Sequence, residues 1–87
     1  MVGFVTSASG TEYAWGYAFD EDHLHVEGEP ALVVAILDPD TDEVLNTMGG
    51  VTGDFEVSDH GNVNASADLE AHMAALAADL ADEVRSF

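Results

Sequence analysis

The sequence predicts an α+β domain in which one long C-terminal helix packs on one face of a mostly antiparallel sheet. Two observations predict this class. Residues 1–60 alternate short runs of β-branched and aromatic residues with turns rich in Gly, Asp and Pro, which predicts a meander of about five or six short strands. Residues 66–86 carry apolar side chains at helical spacing. The chain has 87 residues, so we expect a single domain over residues 1–87.

The first two predicted strands, Val2–Ser7 and Glu12–Phe19, are expected to form a hairpin through the turn SASG at residues 7–10. Alternate side chains of a strand lie on opposite faces, so the second strand has one aromatic face and one face of small residues. We name these the aromatic row (Tyr13, Trp15, Tyr17 and Phe19) and the small row (Ala14, Gly16 and Ala18). The sequence leaves open which row faces the helix.

Four further runs are expected to be strands: His23–Glu27, Ala31–Leu37, Val44–Met48 and Asp54–Ser58. The run Ala31–Leu37 has no polar residue on either face, which predicts a central strand that is covered on both sides. Residues 38–43, with the sequence DPDTDE, predict the turn to its partner strand. We expect the strand at 54–58 to be the last one before the helix.

The C-terminal helix is expected to run from about Ala67 to Ser86. Ser66 is a good N-cap, acids follow it in the first turn, and Arg85 would lie in the last turn, where a cation suits the helix dipole. The apolar stripe is spaced by three and four residues, as one helix face requires. Its members are Leu69, Met73, Leu76, Leu80, Val84 and Phe87.

The charge balance is strongly acidic, with 18 Asp and Glu, one Arg, no Lys and a formal net charge of −17. Repulsion among these carboxylates opposes the compact state, and molar salt screens it by reducing the Debye length to about 3 Å. This composition resembles that of proteins from extreme halophiles, which implies a salt-rich cytoplasm. An acidic module that docks on a basic partner is the alternative interpretation.

Several classes of function are disfavoured by composition. Without a basic patch, the chain has no means to neutralise phosphates, so we expect no binding to nucleic acid or to an anionic membrane. The chain has no cysteine, which excludes disulfides and thiolate metal sites. Residues 1–9 lack the basic region of a signal peptide, and no apolar run is long enough to span a bilayer, so we expect a cytoplasmic protein.

The acids are unevenly distributed, which suggests a function for the hairpin. Residues 1–19 contain a single acid, Glu12, and residues 20–87 contain the other seventeen. A surface that avoids acids in such a chain is expected to be covered by the core, by a second subunit or by a ligand. We predict protein association, as a homodimer through this hairpin, with no catalytic activity. A small-ligand module that stacks its ligand on Tyr13, Trp15 and Tyr17 is one alternative.

A divalent metal is the other alternative. His23 and His25 would share one face of a strand with Glu27, and Glu29 and His60 could complete a ligand set. This spacing partly resembles the cupin pattern of a strand with two His and a nearby Glu, but the chain lacks the later Pro-x-Gly of that pattern. Imidazoles beside an acidic turn also serve as local counter-cations. Apart from this metal, no cofactor is expected.

Overall fold

The computed structural model describes residues 2–21 and 28–84. Within these ranges four strands form one antiparallel sheet in the order β1-β2-β3-β4, and two form a separate hairpin. The elements are β1 (Gly3–Thr6), β2 (Glu12–Phe19), β3 (Leu32–Leu37), β4 (Val44–Val51), β5 (Phe55–Val57), β6 (Val63–Ala65) and the helix α1 (Ala67–Glu83). The predicted α+β class is confirmed, and the predicted strand at His23–Glu27 lies outside the described residues.

The core lies between the four-stranded sheet and α1. Trp15 lies directly opposite Ile36 on the neighbouring strand, and Tyr17 lies opposite Val34. Directly paired residues share a face, so the aromatic row and the buried side of β3 point the same way, toward α1. The largest fully buried side chains come from β3 and the helix, and they are Leu32, Val34, Ile36, Met73 and Leu80.

The helix begins as predicted and ends three residues early. The Ser66 side chain accepts a hydrogen bond from the Leu69 amide at 3.1 Å, which satisfies one of the free N–H groups of the first turn. The backbone of Val84 is extended (ψ 125°), so α1 ends at Glu83. Arg85, expected in the last turn, lies outside the described residues.

Both ends of α1 are hydrogen-bonded to the strands or to the connections between them. At the start, the Ser66 amide donates to the Asp54 carbonyl at 2.9 Å. Near the end, the Ala8 amide donates to the Asp82 carboxylate at 2.6 Å. The Asn46 side chain donates to the Leu80 carbonyl at 3.4 Å. These bonds hold the helix across one face of the sheet.

One strand prediction was wrong. The strand at 54–58 is not the last one, because β6 follows it and pairs with β5 in antiparallel register. The strand β3 is central, as predicted, and α1 covers one of its sides, so that cover on its second side stays a prediction. Leu32, Val34 and Ile36 are fully buried beneath α1, whereas the alternate residues Val33 and Ala35 are half-buried.

The acidic turn at 38–43 joins β3 to β4, as predicted. One oxygen of the Asp38 carboxylate accepts hydrogen bonds from the Asp40 amide at 2.8 Å and the Thr41 amide at 3.4 Å. Such a bond from a side chain to the following backbone is the usual way in which Asp stabilises a turn. Asp42 has a positive φ of 59°, a conformation that favours glycine.

Candidate functional site

The aromatic row lies beneath the helix. Tyr13 is 6% exposed and Trp15 is 5% exposed, so their rings are unavailable to stack on a ligand in this arrangement. The rings of Trp15 and Tyr17 lie 6.1 Å apart and tilted by 40°. At the end of the row, Phe19 meets Phe55 of β5 edge to face at 6.5 Å. The row thus joins the sheet, the helix and the second hairpin into one core.

The surroundings of Tyr17 perturb the ionisation of its phenol. Burial raises the pKa of its phenol above the ordinary value of 10.0, and the negative charge of Glu70 on α1 adds to the rise. Both effects disfavour the phenolate form. The phenol is therefore neutral at physiological pH, as a core side chain should be.

The small row lies on the opposite side of the sheet, which we name the open face. Ala14, Gly16 and Ala18 lie opposite residues of β3, and direct pairing extends this face to β1 and β4. On this face Ala14 and Gly16 are buried, Ala14 at 1% exposure, and Ala18 is exposed. Its members are Phe4, Ala14, Gly16, Ala18, Val33, Ala35, Leu37, Val44 and Thr47.

The open face carries large apolar side chains in contact with solvent. Phe4 is 55% exposed and Val44 is 54% exposed, the highest values among the large apolar residues that the structure describes. They lie on the two outer strands, with Ala14 and Leu37 between them in the same cross-strand row. An exposed apolar patch of this kind is typical of an interaction surface.

Charge on this side of the sheet is confined to the ends of the strands. By strand alternation Glu12 lies at one end of β2 and Asp20 follows its other end. Asp20 accepts a hydrogen bond from the Gly50 amide at 3.2 Å, so its carboxylate is held near β4. Between these acids, the nine members of the open face are all uncharged.

A shallow depression lies at the middle of the open face. Its volume is about 210 Å³, and we name it the central depression. The small row and Ala35 have short side chains, so they leave space beside the larger side chains of Val33 and Leu37. The depression is lined by Gly16, Tyr17, Ala18, Val33, Ala35 and Leu37.

The predicted metal ligands are not assembled in the described part of the chain. His23, His25 and Glu27 lie outside it, so that part of the metal hypothesis stays a prediction. Glu29 is exposed and lines a cavity of about 490 Å³ beside Phe19 and Phe55 of the aromatic core. His60 is exposed in the turn between β5 and β6. Residues 2–21 and 28–84 contain no group of three His, Asp or Glu side chains that could hold a metal ion.

Sequence reasoning named only the small row of the open face and missed its other six members, of which Phe4 and Val44 are the most exposed large apolar ones. Phe4 could have been found, because a hairpin turn centred on Ser9 places residue 4 opposite residue 14. Val44 could also have been found, because the predicted turn at 38–43 places residue 44 opposite residue 37; the register shift beyond this pair conceals Thr47 instead.

Within residues 2–21 and 28–84, no helix has the length and apolar character needed to cross a membrane. Comparison of the chain with family models, curated proteins and solved structures gives no match.

Proposed function

We propose that this protein is a non-enzymatic association module that forms a homodimer through the open face, in a salt-rich cytoplasm. One observation carries the proposal: the middle of the open face is uncharged and apolar in a chain with a net charge of −17. Phe4 and Val44 are more than half exposed there. Burial of such side chains against a second copy would remove apolar area from water.

The sequence of β3 supports coverage on both sides. Strands that are apolar on both faces are typical of sheets buried on both faces. In the described chain α1 covers one side, and Val33, Ala35 and Leu37 on the other side are only half-buried. A second subunit over the open face would supply the missing layer, as in the stacked sheets of a β-sandwich.

Charge favours a second copy over a basic partner. A basic protein would need acids to pair with, and these are absent between Glu12 and Asp20 on the open face. An uncharged apolar face is best matched by another uncharged apolar face, and this chain itself presents one. Like charges elsewhere on the two subunits repel, and molar salt screens that repulsion.

The size of the face sets the strength of the dimer. Four strands about 4.8 Å apart and about six residues long, at about 3.4 Å per residue, cover about 400 Å². Two subunits then bury about 800 Å², below the ~1,200 Å² at which stable interfaces begin. We therefore expect a weak dimer, with a dissociation constant of ~1 μM or higher, that dissociates as salt is lowered.

Light scattering coupled to size exclusion tests this proposal in about 2–3 M KCl, over chain concentrations up to about 1 mM. The wild type should shift from the 9.2 kDa mass of one chain toward twice that mass as concentration rises. Ala18→Asp places a charge on an exposed position of the open face and should stay monomeric. Ala75→Asp adds the same charge at an exposed helix position and should dimerise like the wild type.

Three results would contradict the proposal. The first is a wild type that keeps the mass of one chain at every concentration and salt. The second is equal dimerisation of the Ala18→Asp and Ala75→Asp variants, which would place the interface elsewhere. The third is a stable complex with a different protein in the absence of any dimer.

A further inference from the structure

Phe4 is the most exposed large apolar residue of the open face. It lies on β1, directly opposite Ala14, so its cross-strand neighbour is too small to cover the ring. Its side chain is 55% exposed, the largest exposed fraction among the large apolar residues described. Aromatic rings that protrude from an apolar surface are the usual anchors of protein interfaces.

The central depression has the size of one aromatic ring. Its volume is about 210 Å³, and a cavity of about 150 Å³ accommodates benzene. Its walls are apolar, and Gly16 contributes no side chain. A ring and a matching depression therefore lie on the same face of the same chain.

Phe4 cannot fill the depression of its own chain. The depression lies between β2 and β3, about 7 Å across the strands from β1 and about 7 Å along them from the level of Ala14. The separation is about 10 Å, whereas β1 is fixed by its pairing with β2. A Phe4 ring that enters the depression therefore comes from another molecule.

We propose that Phe4 of each subunit inserts into the central depression of the other subunit, an inference that rests on the homodimer proposed above. A twofold axis parallel to the sheets, midway between Phe4 and the depression, places each ring over the partner's depression. The two contacts are equivalent, as a twofold interface requires. Phe4 is thus the anchor of the dimer interface, and Val44 lies at the rim of that interface.

Paired variants test this anchor under the conditions in which the wild type dimerises. Phe4→Ala should weaken dimerisation by about thirtyfold or more, as loss of an interface hot spot does. Val44→Ala removes a side chain of nearly equal exposure on the same face and should weaken it by about threefold or less. Ala35→Phe fills the depression within each chain, and it should weaken dimerisation as strongly as Phe4→Ala.

Mixing the variants is the decisive experiment. Phe4→Ala keeps an empty depression, and Ala35→Phe keeps the anchoring ring, so an equimolar mixture should form a heterodimer. Light scattering should show dimer mass in the mixture at a total concentration at which each variant alone is monomeric. Far-UV circular dichroism in the same salt confirms that each variant is folded, and Phe4→Leu, with intermediate weakening expected, replaces Phe4→Ala if that variant unfolds.

The outcomes separate this inference from the proposal on which it rests. A wild type that never dimerises overturns both. A wild type that dimerises, with Ala18→Asp monomeric but Phe4→Ala no weaker than Val44→Ala, keeps the homodimer and overturns the anchor. A mixture of Phe4→Ala and Ala35→Phe that stays monomeric also overturns the anchor.

Discussion

Gly53 is where the backbone between β4 and β5 touches the helix, and replacing it with Ala should destabilise the fold. A Cβ atom added at Gly53 would lie 2.7 Å from Cδ1 of Leu69, 3.2 Å from its Cδ2 and 3.3 Å from its Cγ. Leu69 is 5% exposed and lies in the first turn of α1, where neighbouring core residues confine it. The chain must therefore shift to accept one methyl group.

The size of the effect follows from these contacts. Carbon atoms in contact are normally about 3.5–4.0 Å apart, so the methyl group or Leu69 must move by about 1 Å. Overpacking of this kind costs about 1–3 kcal/mol. For a domain of this size, a loss of about 2 kcal/mol lowers the melting temperature by roughly 8–16 °C.

Gly49 provides a matched control. A Cβ atom there would also meet an atom at 2.7 Å, but that atom is Oδ2 of Asp20, the polar end of a partly exposed side chain, and no other side-chain atom of the described residues lies closer than 3.8 Å. Gly49→Ala should therefore cost about 0.5–1.5 kcal/mol, the value of the hydrogen bond from the Gly50 amide that is lost. The two variants make the same chemical change and differ in whether the neighbouring atoms can move.

Thermal and urea unfolding, followed by circular dichroism at one fixed salt concentration, measures both costs. A double-mutant cycle with Leu69→Ala adds a second check, because removal of the Leu69 side chain should abolish most of the cost of Gly53→Ala. A Gly53→Ala variant within about 0.5 kcal/mol of the wild type would refute the clash. So would an equal cost of Gly53→Ala in the wild type and in the Leu69→Ala variant.

Two further predictions concern single groups. Because burial and Glu70 raise the pKa of the Tyr17 phenol in the folded state, the unfolded chain releases this proton first, and stability falls as pH rises past about 10. The free energy of unfolding of the wild type should therefore decline relative to Tyr17→Phe between about pH 8 and pH 11, and a constant difference would contradict the shift. Asp42 has a φ of 59°, so Asp42→Gly should stabilise the fold by about 0.5–1 kcal/mol through relief of backbone strain. Asp40→Gly removes the same charge at a position without positive φ and should not stabilise the fold; equal gains in both variants would indicate charge relief instead.

Strands with a long periodic signal were predictable from the sequence. The alternation of large and small residues over the seven positions Tyr13–Phe19, together with Glu12 before them, predicted β2 with the bounds that the structure has. The strand β6 has only three residues, Val63–Ala65, which is too short to show a period. Its role comes from pairing with β5, and pairing is not visible in local sequence.

The helix shows the limit of a side-chain pattern. The apolar stripe continues through Val84, so periodicity alone extended the helix past Glu83, and no glycine marks the end. Ala77 and Ala81 are buried and were not in the predicted stripe, because alanine occurs on both faces of this helix. Residue type signals burial poorly when the side chain is this small.

Which face of β2 meets the helix depended on contacts between elements, and the sequence could not decide it. Both faces are uncharged over Tyr13–Phe19, so both were suited to burial. The larger row lies beneath α1, because its rings bury more apolar area against the helix than three small residues could. The small row then lies on the open face. The surface that a partner would cover is therefore the one around Gly16, not the aromatic rings.

The contrast between two exposed surfaces strengthens the interpretation of the open face. The outer side of α1 carries acids at exposed positions, among them Asp68, Asp79 and Asp82, as expected for a surface hydrated in concentrated salt. The open face has exposed positions too, yet Phe4, Ala18 and Val44 occupy them. Hydration alone would favour acids on both surfaces. The apolar surface of so acidic a chain is explained if the open face meets another apolar surface, whereas the outer side of α1 faces solvent.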